Sequence, residues 1–433
     1  MIRRNIIAID LKSFFASCEC VERGLDPFKV NLVVANPNQG NGAITLAVTP
    51  ALKKLGVKGR SRLYEIPKNI KYEIVPPHMK LYLEKSRAVV NILLDYVDEK
   101  DLHVYSVDES FLDVTNYLKM YKKSEYELAQ DIMKRIYKEL HLTTTCGIGP
   151  NILLAKVAMD IEAKHNPSNI AKWDYVDVKN KLWPITPLSK MWGIGPRMEK
   201  RLNNLGLYKI GDIANYDKNK LKDLFGIMGE ELYYHCNGID EAIISDYKVI
   251  PKTKSYSNSQ VLFKDYDGSN VGIIIKEMCE IVTRRLRKSH KRANIVGLSI
   301  GYSKNVGGGF YHNMKVHTTD LETDFYKYAM MIFDRYYDNS PIRKVGITAG
   351  DLTDNNSVQI NLFEDIEQKE QEEKIQCAID EIKDRYGKNS ILKASALLED
   401  STIMDRNKKI GGHHEWLQRQ RYDEISTIWF INK

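Results

Sequence analysis

A chain of 433 residues is too long for one core and predicts three or four domains. At 43% hydrophobic, 28% charged and net +7, its composition is that of an ordinary globular protein. No apolar run nears twenty residues, Met1-Ile2-Arg3-Arg4 leads straight into a strand, and the six cysteines are scattered, which argues against a membrane span, a cleavable leader and a disulfide framework. Cys18-Glu19-Cys20 is too tight for a zinc knuckle, so free thiols in a reducing cytoplasm are expected.

Strands are predicted near 5–10, 102–108, 110–115 and 142–149, and helices near 80–98, 125–139 and 151–163. This is a β-α-β-β-α-β order, which sets the first strand beside the hairpin. Residues 18–78 form a small insertion with a turn cluster at Asn36–Gly42 and a short helix from Pro50 stopped by Gly56. Trp192-Gly193-Ile194-Gly195-Pro196 sits between two helical stretches and reads as a helix-hairpin-helix. Amides freed at Gly193 and Gly195 can approach a phosphate; the alternative is a plain helical turn that touches nothing. A weaker copy is Phe225-Gly226-Ile227-Met228-Gly229.

After a polar linker near 241–253 the β-α-β-β-α-β order repeats, with strands at 256–262, 295–303, 310–316 and 343–351 and helices at 268–289 and 321–336. Residues 251–350 hold 16 Lys and Arg against 9 Asp and Glu, an excess equal to that of the whole chain. Arg284, Arg285, Arg287, Lys288, Lys291 and Arg292 end the first of these helices. Helix-dipole pairing explains some of them, but six in nine points to phosphate contact with a polyanion such as a nucleic acid. The tail, 364–433, contains an amphipathic helix with Ile375, Ile379, Ile382 and Tyr386 on one stripe and Gly387 as its stop.

The chemistry centres on two acidic sites. Ile6-Ile7-Ala8-Ile9-Asp10 is an apolar strand ending in one acid, and Val107-Asp108-Glu109 puts two more at a strand end. Either acid alone could sit there by chance. Brought together by the topology, they make an oxygen-only site suited to Mg²⁺, able to hold two ions for in-line phosphoryl transfer.

Asp10-Leu11-Lys12-Ser13-Phe14-Phe15-Ala16-Ser17-Cys18-Glu19 and Ser106-Val107-Asp108-Glu109 resemble the paired motifs of Y-family (translesion) DNA polymerases, closest to the UmuC-like bacterial branch. The resemblance continues through Cys146–Asn151, Leu154-Ala155-Lys156 and Trp192–Gly195, in the family's order. It implies an α+β right-hand polymerase. Its ferredoxin-like palm would be 1–17 and 79–172, its fingers 18–78, its helix-hairpin-helix thumb 173–243 and its little finger 254–352. It implies a low-fidelity, template-directed polymerase of DNA damage tolerance and the SOS response, acting on primer-template DNA and dNTPs. Asp10, Asp108, Glu109 and the Leu11 carbonyl would hold two Mg²⁺ ions, with Mn²⁺ as a substitute. Phe15 matches the steric gate, and the amides of Phe14 and Phe15 would meet phosphates.

The fingers depart from the family's Ala-Thr-x-x-Tyr-Glu-Ala-Arg pattern, since Ala47, Pro50 and Lys53 stand at the Thr, Tyr and Arg positions. Lys53 keeps a charge but not a bidentate fork. Lys164 matches the other triphosphate lysine across a one-residue insertion near Glu162.

Gln359-Ile360-Asn361-Leu362-Phe363 resembles the clamp-binding peptide of bacterial polymerases, with Ile360 for the usual Leu. Gln359 would hydrogen-bond a bacterial sliding clamp while Ile360, Leu362 and Phe363 meet its apolar pocket; the alternative is a strand end with a core Leu-Phe. A UmuD-like or recombinase accessory protein is a further possible partner. The competing functions are a non-catalytic DNA- and clamp-binding accessory, which the three acids argue against, and another two-metal enzyme such as a nucleotide cyclase.

Overall fold

The computed structural model describes residues 3–248, 255–354, 366–410 and 413–414, and the chain divides into two units, 1–249 with 413–433, and 250–412. Both are α+β.

The first unit begins with β1 (Ile6–Leu11), whose apolar run is buried on both faces. α1 (Phe14–Glu22) follows after Ser13, which takes a left-handed backbone, φ 50°, and places no side-chain cap on the helix. β2 (Leu32–Val34), β3 (Ala47–Val48) and β4 (Glu73–Val75) form a small sheet in the order β3-β2-β4, and α2 (Pro50–Lys54) ends before Gly56 at φ 87°. α3 (Met79–Leu94) leads to β5 (Leu102–Val104) and β6 (Glu109–Asp113). Then come a short α4 (Leu118–Tyr121), α5 (Glu125–Leu140) started by a Ser124–Glu127 capping box, β7 (Thr144–Gly149), α6 (Ile152–Ile161) and β8 (Ile170–Lys172). Asn151 caps α6, its Oδ1 accepting from the Leu154 amide at 2.8 Å.

These strands make one sheet in the order β5-β6-β1-β7-β8. Ile6, Ala8 and Phe111 on one face pack against Ile152, Ala155 and Met159 of α6. Gly147 and Gly149 let α6 lie that close, because a Cβ on Gly147 would fall 2.0 Å from the Ala155 carbonyl oxygen. Two expectations change. The strand read over 102–108 ends at Val104, because the amides of Tyr105 and Ser106 both turn onto the Glu109 carbonyl. A fifth strand, β8, pairs parallel with β7.

α7 (Pro196–Asn203), α8 (Ile210–Ala214), α9 (Lys218–Phe225) and α10 (Ile227–Cys236) close around a core containing Trp173, Leu188, Leu202, Ile210 and Leu221.

The second unit holds β9 (Tyr256–Tyr266), α11 (Val271–Lys288), β10 (Lys291–Tyr302), β11 (Gly309–Thr319), α12 (Glu322–Tyr336) and β12 (Ile342–Asp354). The antiparallel sheet runs β11-β10-β12-β9. Val296, Leu298, Ile300, Val345 and Ile347 meet Ile274, Met278, Val282, Phe325 and Ala329 of the helices in one core. α13 (Ile366–Tyr386) and α14 (Ile403–Asn407) follow. Among the described residues no helix is long and apolar enough to cross a membrane.

The amphipathic reading of the tail helix is corrected. Ile375, Ile382 and Tyr386 are exposed, while Lys383 and Gln376 are buried. α13 docks by its polar face.

Candidate active site

Antiparallel pairing of β1 with β6 sets Asp10 opposite Glu109, and the Leu11 amide donates to the Asp108 carbonyl at 2.9 Å. The three acids are thus neighbours on the backbone although about a hundred residues separate them in sequence. Ser106 Oγ donates to Asp108 Oδ1 at 2.6 Å and holds that side chain. On the other side of β1, Thr145 Oγ1 lies 3.5 Å from Asp10 Oδ1.

Charge is managed by α6 and the turn after it. Lys156, buried, has its Nζ 2.8 Å from both oxygens of Glu109, yet only Oε2 receives a well-directed hydrogen bond. Lys164 Nζ lies 2.8 Å from Asp160 and 3.6 Å from Asp10. Burial pushes the Asp10 carboxyl up; Lys164 opposes this and Asp108 adds to it. Glu109 is likewise pushed up by burial, against the pull of Lys156. Burial opposes the Lys164 charge, but Asp10 and Asp160 outweigh it and raise its pKa. Carboxylates this desolvated favour the approach of a cation.

The donors are all oxygens, and Glu109 Oε1 is a buried acceptor without a hydrogen bond, which fits a hard divalent ion. Among the described residues, no three His, Cys, Asp or Glu side chains are gathered tightly enough to hold an ion as they stand. The acids are adjacent rather than converged: Glu109 is paired with Lys156, Asp108 is held by Ser106, and Asp10 has only a long contact with Lys164.

Phe14 is buried and Phe15 half-buried, and the Phe15 ring stacks on Tyr82 of α3 with centroids 4.5 Å apart and planes 19° apart. Tyr82 Oη donates to Glu19 Oε1 at 2.5 Å, and His78 and Arg23 also bond this buried carboxylate. Lys53 stands exposed on α2 within electrostatic reach of Asp10, Lys164 and Asp108. Lys12, whose Nζ donates to Asn169, joins the same cationic group. Sequence reasoning missed Lys156 and Asp160 as site residues; their signal was the i, i+4 spacing from Lys156 to Asp160 to Lys164.

Gly193 adopts φ 90° and Gly195 precedes Pro196 at the start of α7, with open space where a Cβ would go on either glycine. The element before them is a single 3₁₀ turn, Leu188–Lys190, rather than a longer helix. The weaker copy serves packing at Gly229, where a Cβ would fall 2.0 Å from the Leu221 carbonyl oxygen.

The basic cluster of the second unit, expected from the sequence to meet phosphates, is largely engaged in ion pairs within that unit. Arg284 pairs with Asp384 at 2.6 Å, Arg287 with Asp380 at 2.7 Å and Arg292, buried, with Glu373 at 2.8 Å. Lys291 pairs with Asp354, Lys288 lies 3.8 Å from Asp384, and Arg285 donates to the Ser257 carbonyl. The carboxylates that pair Arg284, Arg287 and Arg292 here all come from α13. The sheet face away from the helices is the better candidate surface. Small residues Gly297, Ser299, Gly346 and Thr348 sit side by side there, flanked by exposed Tyr311, Lys315 and Lys344. Gln359, Ile360, Leu362 and Phe363 lie outside the described residues.

The impB/mucB/samB family model matches residues 9–160, its C-terminal domain 253–362, and the IMS family HHH motif 175–207. A Bacillus subtilis (strain 168) protein named "Putative UV-damage repair protein UvrX" is 40% identical over 417 residues, covering 95% of this chain and 98% of that protein. "DNA polymerase IV 2" of the same organism is 31% identical over 422 residues, covering 96% and 100%. A solved Y-family DNA polymerase chimera has a similar fold, with a TM-score of 0.63 at 23% identity, over 81% of this chain and 100% of that one.

Proposed function

The chain belongs to the impB/mucB/samB family of Y-family DNA polymerases, and from that membership we propose a low-fidelity polymerase that extends primers past damaged template bases. It is a DNA-directed DNA polymerase. The observation that carries the catalytic reading is the β1–β6 register, with Asp10 opposite Glu109 and Asp108 beside it.

In this reading Asp10, Asp108, Glu109 and the Leu11 carbonyl would hold two Mg²⁺ ions, or Mn²⁺ in their place. When bound, the ions would make the primer 3′-hydroxyl more acidic and neutralise the triphosphate. The chain itself supplies position and charge. Lys164, Lys53 and Lys12 offer cations to the triphosphate, and the uncapped amides of Phe14 and Phe15 offer donors. Lys53 stands in for an arginine fork, and Pro50 brings neither a hydroxyl nor an amide donor, so the nucleotide is gripped more by charge than by geometry. The ring of Phe15, backed by Tyr82, would exclude a 2′-hydroxyl. The loop at Gly193–Gly195 and the small-residue sheet face let a DNA backbone come close without side-chain obstruction.

By domain role, we assign the palm to 1–17 and 79–172, the fingers to 18–78, the thumb to 173–243 and the little finger to 254–352. The 359–363 peptide would recruit the sliding clamp, and the work would be cytoplasmic, where the template is. The test is primer extension on damaged and undamaged templates with Mg²⁺. Asp108→Ala should abolish extension while leaving DNA binding. Extension at the parent rate by that variant would refute the assignment; a parent that binds DNA and never extends would select the accessory alternative.

A further inference from the structure

Five charges of alternating sign connect Glu109 to Asp10. Lys156 Nζ is 2.8 Å from Glu109 and 3.1 Å from Asp160 Oδ2. Asp160 Oδ1 is 2.8 Å from Lys164 Nζ, which is 3.6 Å from Asp10 Oδ2. α6 dictates this, because Lys156 and Asp160 are one turn apart on it and Lys164 follows in the 3₁₀ turn Ala163–His165. Asp160 Oδ1 accepts from Lys164 at 2.8 Å and from Lys156 at 3.4 Å, and Asp160 belongs to neither the acids expected to hold metal nor the cations expected to hold phosphate.

The two distances at Lys164 carry the argument. Its ammonium makes a full ion pair with Asp160 and only a long one with Asp10. Coulomb attraction falls with distance, and a lysine stem is flexible, so the nearer carboxylate decides where the charge rests. Remove the charge at 160 and Asp10 becomes the nearest partner. The ammonium would then close on Asp10 and compete there with any divalent ion.

We propose that Asp160 is a positioning residue that parks Lys164 beside the cleft, keeping its ammonium off Asp10 and available to a polyphosphate. This rests on the reading of Asp10, Asp108 and Glu109 as the metal-binding acids. The effect of Asp160 on Asp10 runs through Lys164, while its contact with Lys156 lies on the Glu109 side, and this separates it from a residue that merely stabilises the fold or binds the ion itself.

The experiment is Mn²⁺ titration of the full-length chain, with free Mn²⁺ read by electron paramagnetic resonance, in the absence of DNA and nucleotide. Asp160→Asn, which keeps the side-chain shape, should weaken Mn²⁺ binding by about tenfold, or about 1.4 kcal/mol. Lys164→Met alone should bind Mn²⁺ at least as tightly as the parent. The double variant should match Lys164→Met within about twofold, because Asp160 has nothing left to park. Asp160→Glu should restore most of the parent affinity.

Three outcomes overturn the proposal: parent affinity in Asp160→Asn, weakened binding in Lys164→Met, or a double variant as weak as Asp160→Asn. Should Asp160→Asn fold poorly, the Lys164→Met result still decides. Asp108→Ala is the control for the underlying site. If it leaves Mn²⁺ affinity unchanged, the metal site itself is misread; if it loses affinity while Asp160→Asn does not, only the parking role fails.

Discussion

Gly147→Ala tests whether the seat of α6 on the sheet, rather than the mere presence of the acids, makes the site. A Cβ at 147 would lie 2.0 Å from the Ala155 carbonyl oxygen, 2.6 Å from the Met159 amide nitrogen and 2.7 Å from Met159 Cβ. Two of these are backbone atoms, so no side-chain rotation relieves the clash. Ordinary contact begins near 3.4 Å, and α6 would have to retreat by about 1.4 Å. That helix carries Lys156 and Asp160 and leads into Lys164, so the 2.8 Å contact from Lys156 to Glu109 would open. Overpacking of this kind costs about 1–3 kcal/mol, occasionally more. Misplacement by about 1 Å near reacting groups can cost on the order of a hundredfold in rate. The assay pairs urea unfolding with primer-extension kcat/KM per folded molecule. Gly59→Ala is the control, since nothing lies within 4 Å of a Cβ there. Parent stability and parent kcat/KM in Gly147→Ala would refute the packing argument. Lost stability with parent kcat/KM per folded molecule would show that the helix position does not govern the chemistry.

Phe15→Ala should admit ribonucleotides, raising the rNTP/dNTP ratio of kcat/KM by an order of magnitude or more; an unchanged ratio would leave Phe15 a packing residue. Glu19 gives a pH signature. Burial raises its carboxyl, but hydrogen bonds from His78, Tyr82 and Arg23 outweigh that and hold it below the ordinary value of 4.5. A depressed folded value adds stability that is fully present above the unfolded pKa and is lost as pH falls through the folded one. Unfolding free energy should therefore drop below about pH 4.5 and drop less steeply in Glu19→Gln, with equal slopes counting against the network. Ala at Gln359, Leu362 and Phe363 should abolish clamp-stimulated synthesis and spare clamp-free extension, because a peptide with a dissociation constant on the order of micromolar acts by tethering. Loss of the basal rate as well would make the segment structural.

The elements that were legible in the sequence are those whose signal is local and long. β1 is an unbroken apolar run, and α5 has a Ser124–Glu127 capping box before its apolar stripe. The paired β-α-β-β-α-β orders follow from such segments, and the antiparallel register then sets Asp10 opposite Glu109 without further information. Elements of two or three residues carry no period. The strands β2, β3, β4 and β8 were invisible for that reason, and each exists because a neighbour pairs with it. Lys156 and Asp160 were hidden differently. A lysine on a helix ordinarily reads as solvent-facing, and only the approach of α6 over Gly147 buries this one against Glu109.

Charge was the least legible property, because a sequence shows how many charges there are and not what neutralises them. The excess of seven cations in 251–350 suggested a surface waiting for phosphate. α13 carries seven acids against four bases and lies against that cluster through Asp380, Asp384 and Glu373. The same helix explains why its isoleucines are outside. Buried Arg292 and partly buried Arg284 and Arg287 need carboxylates at hydrogen-bonding distance, since leaving a buried charge unpaired costs several kcal/mol. Exposing Ile375 and Ile382 instead forfeits about 1.5–3 kcal/mol for each side chain. The balance favours the polar face inward. Amphipathicity predicts which face is buried only when the surface beneath is apolar, and here the surface beneath is a row of guanidinium groups. Lysines left open to solvent on this sheet lie on its opposite face, where Lys315 and Lys344 are exposed beside a floor of glycine, serine and threonine.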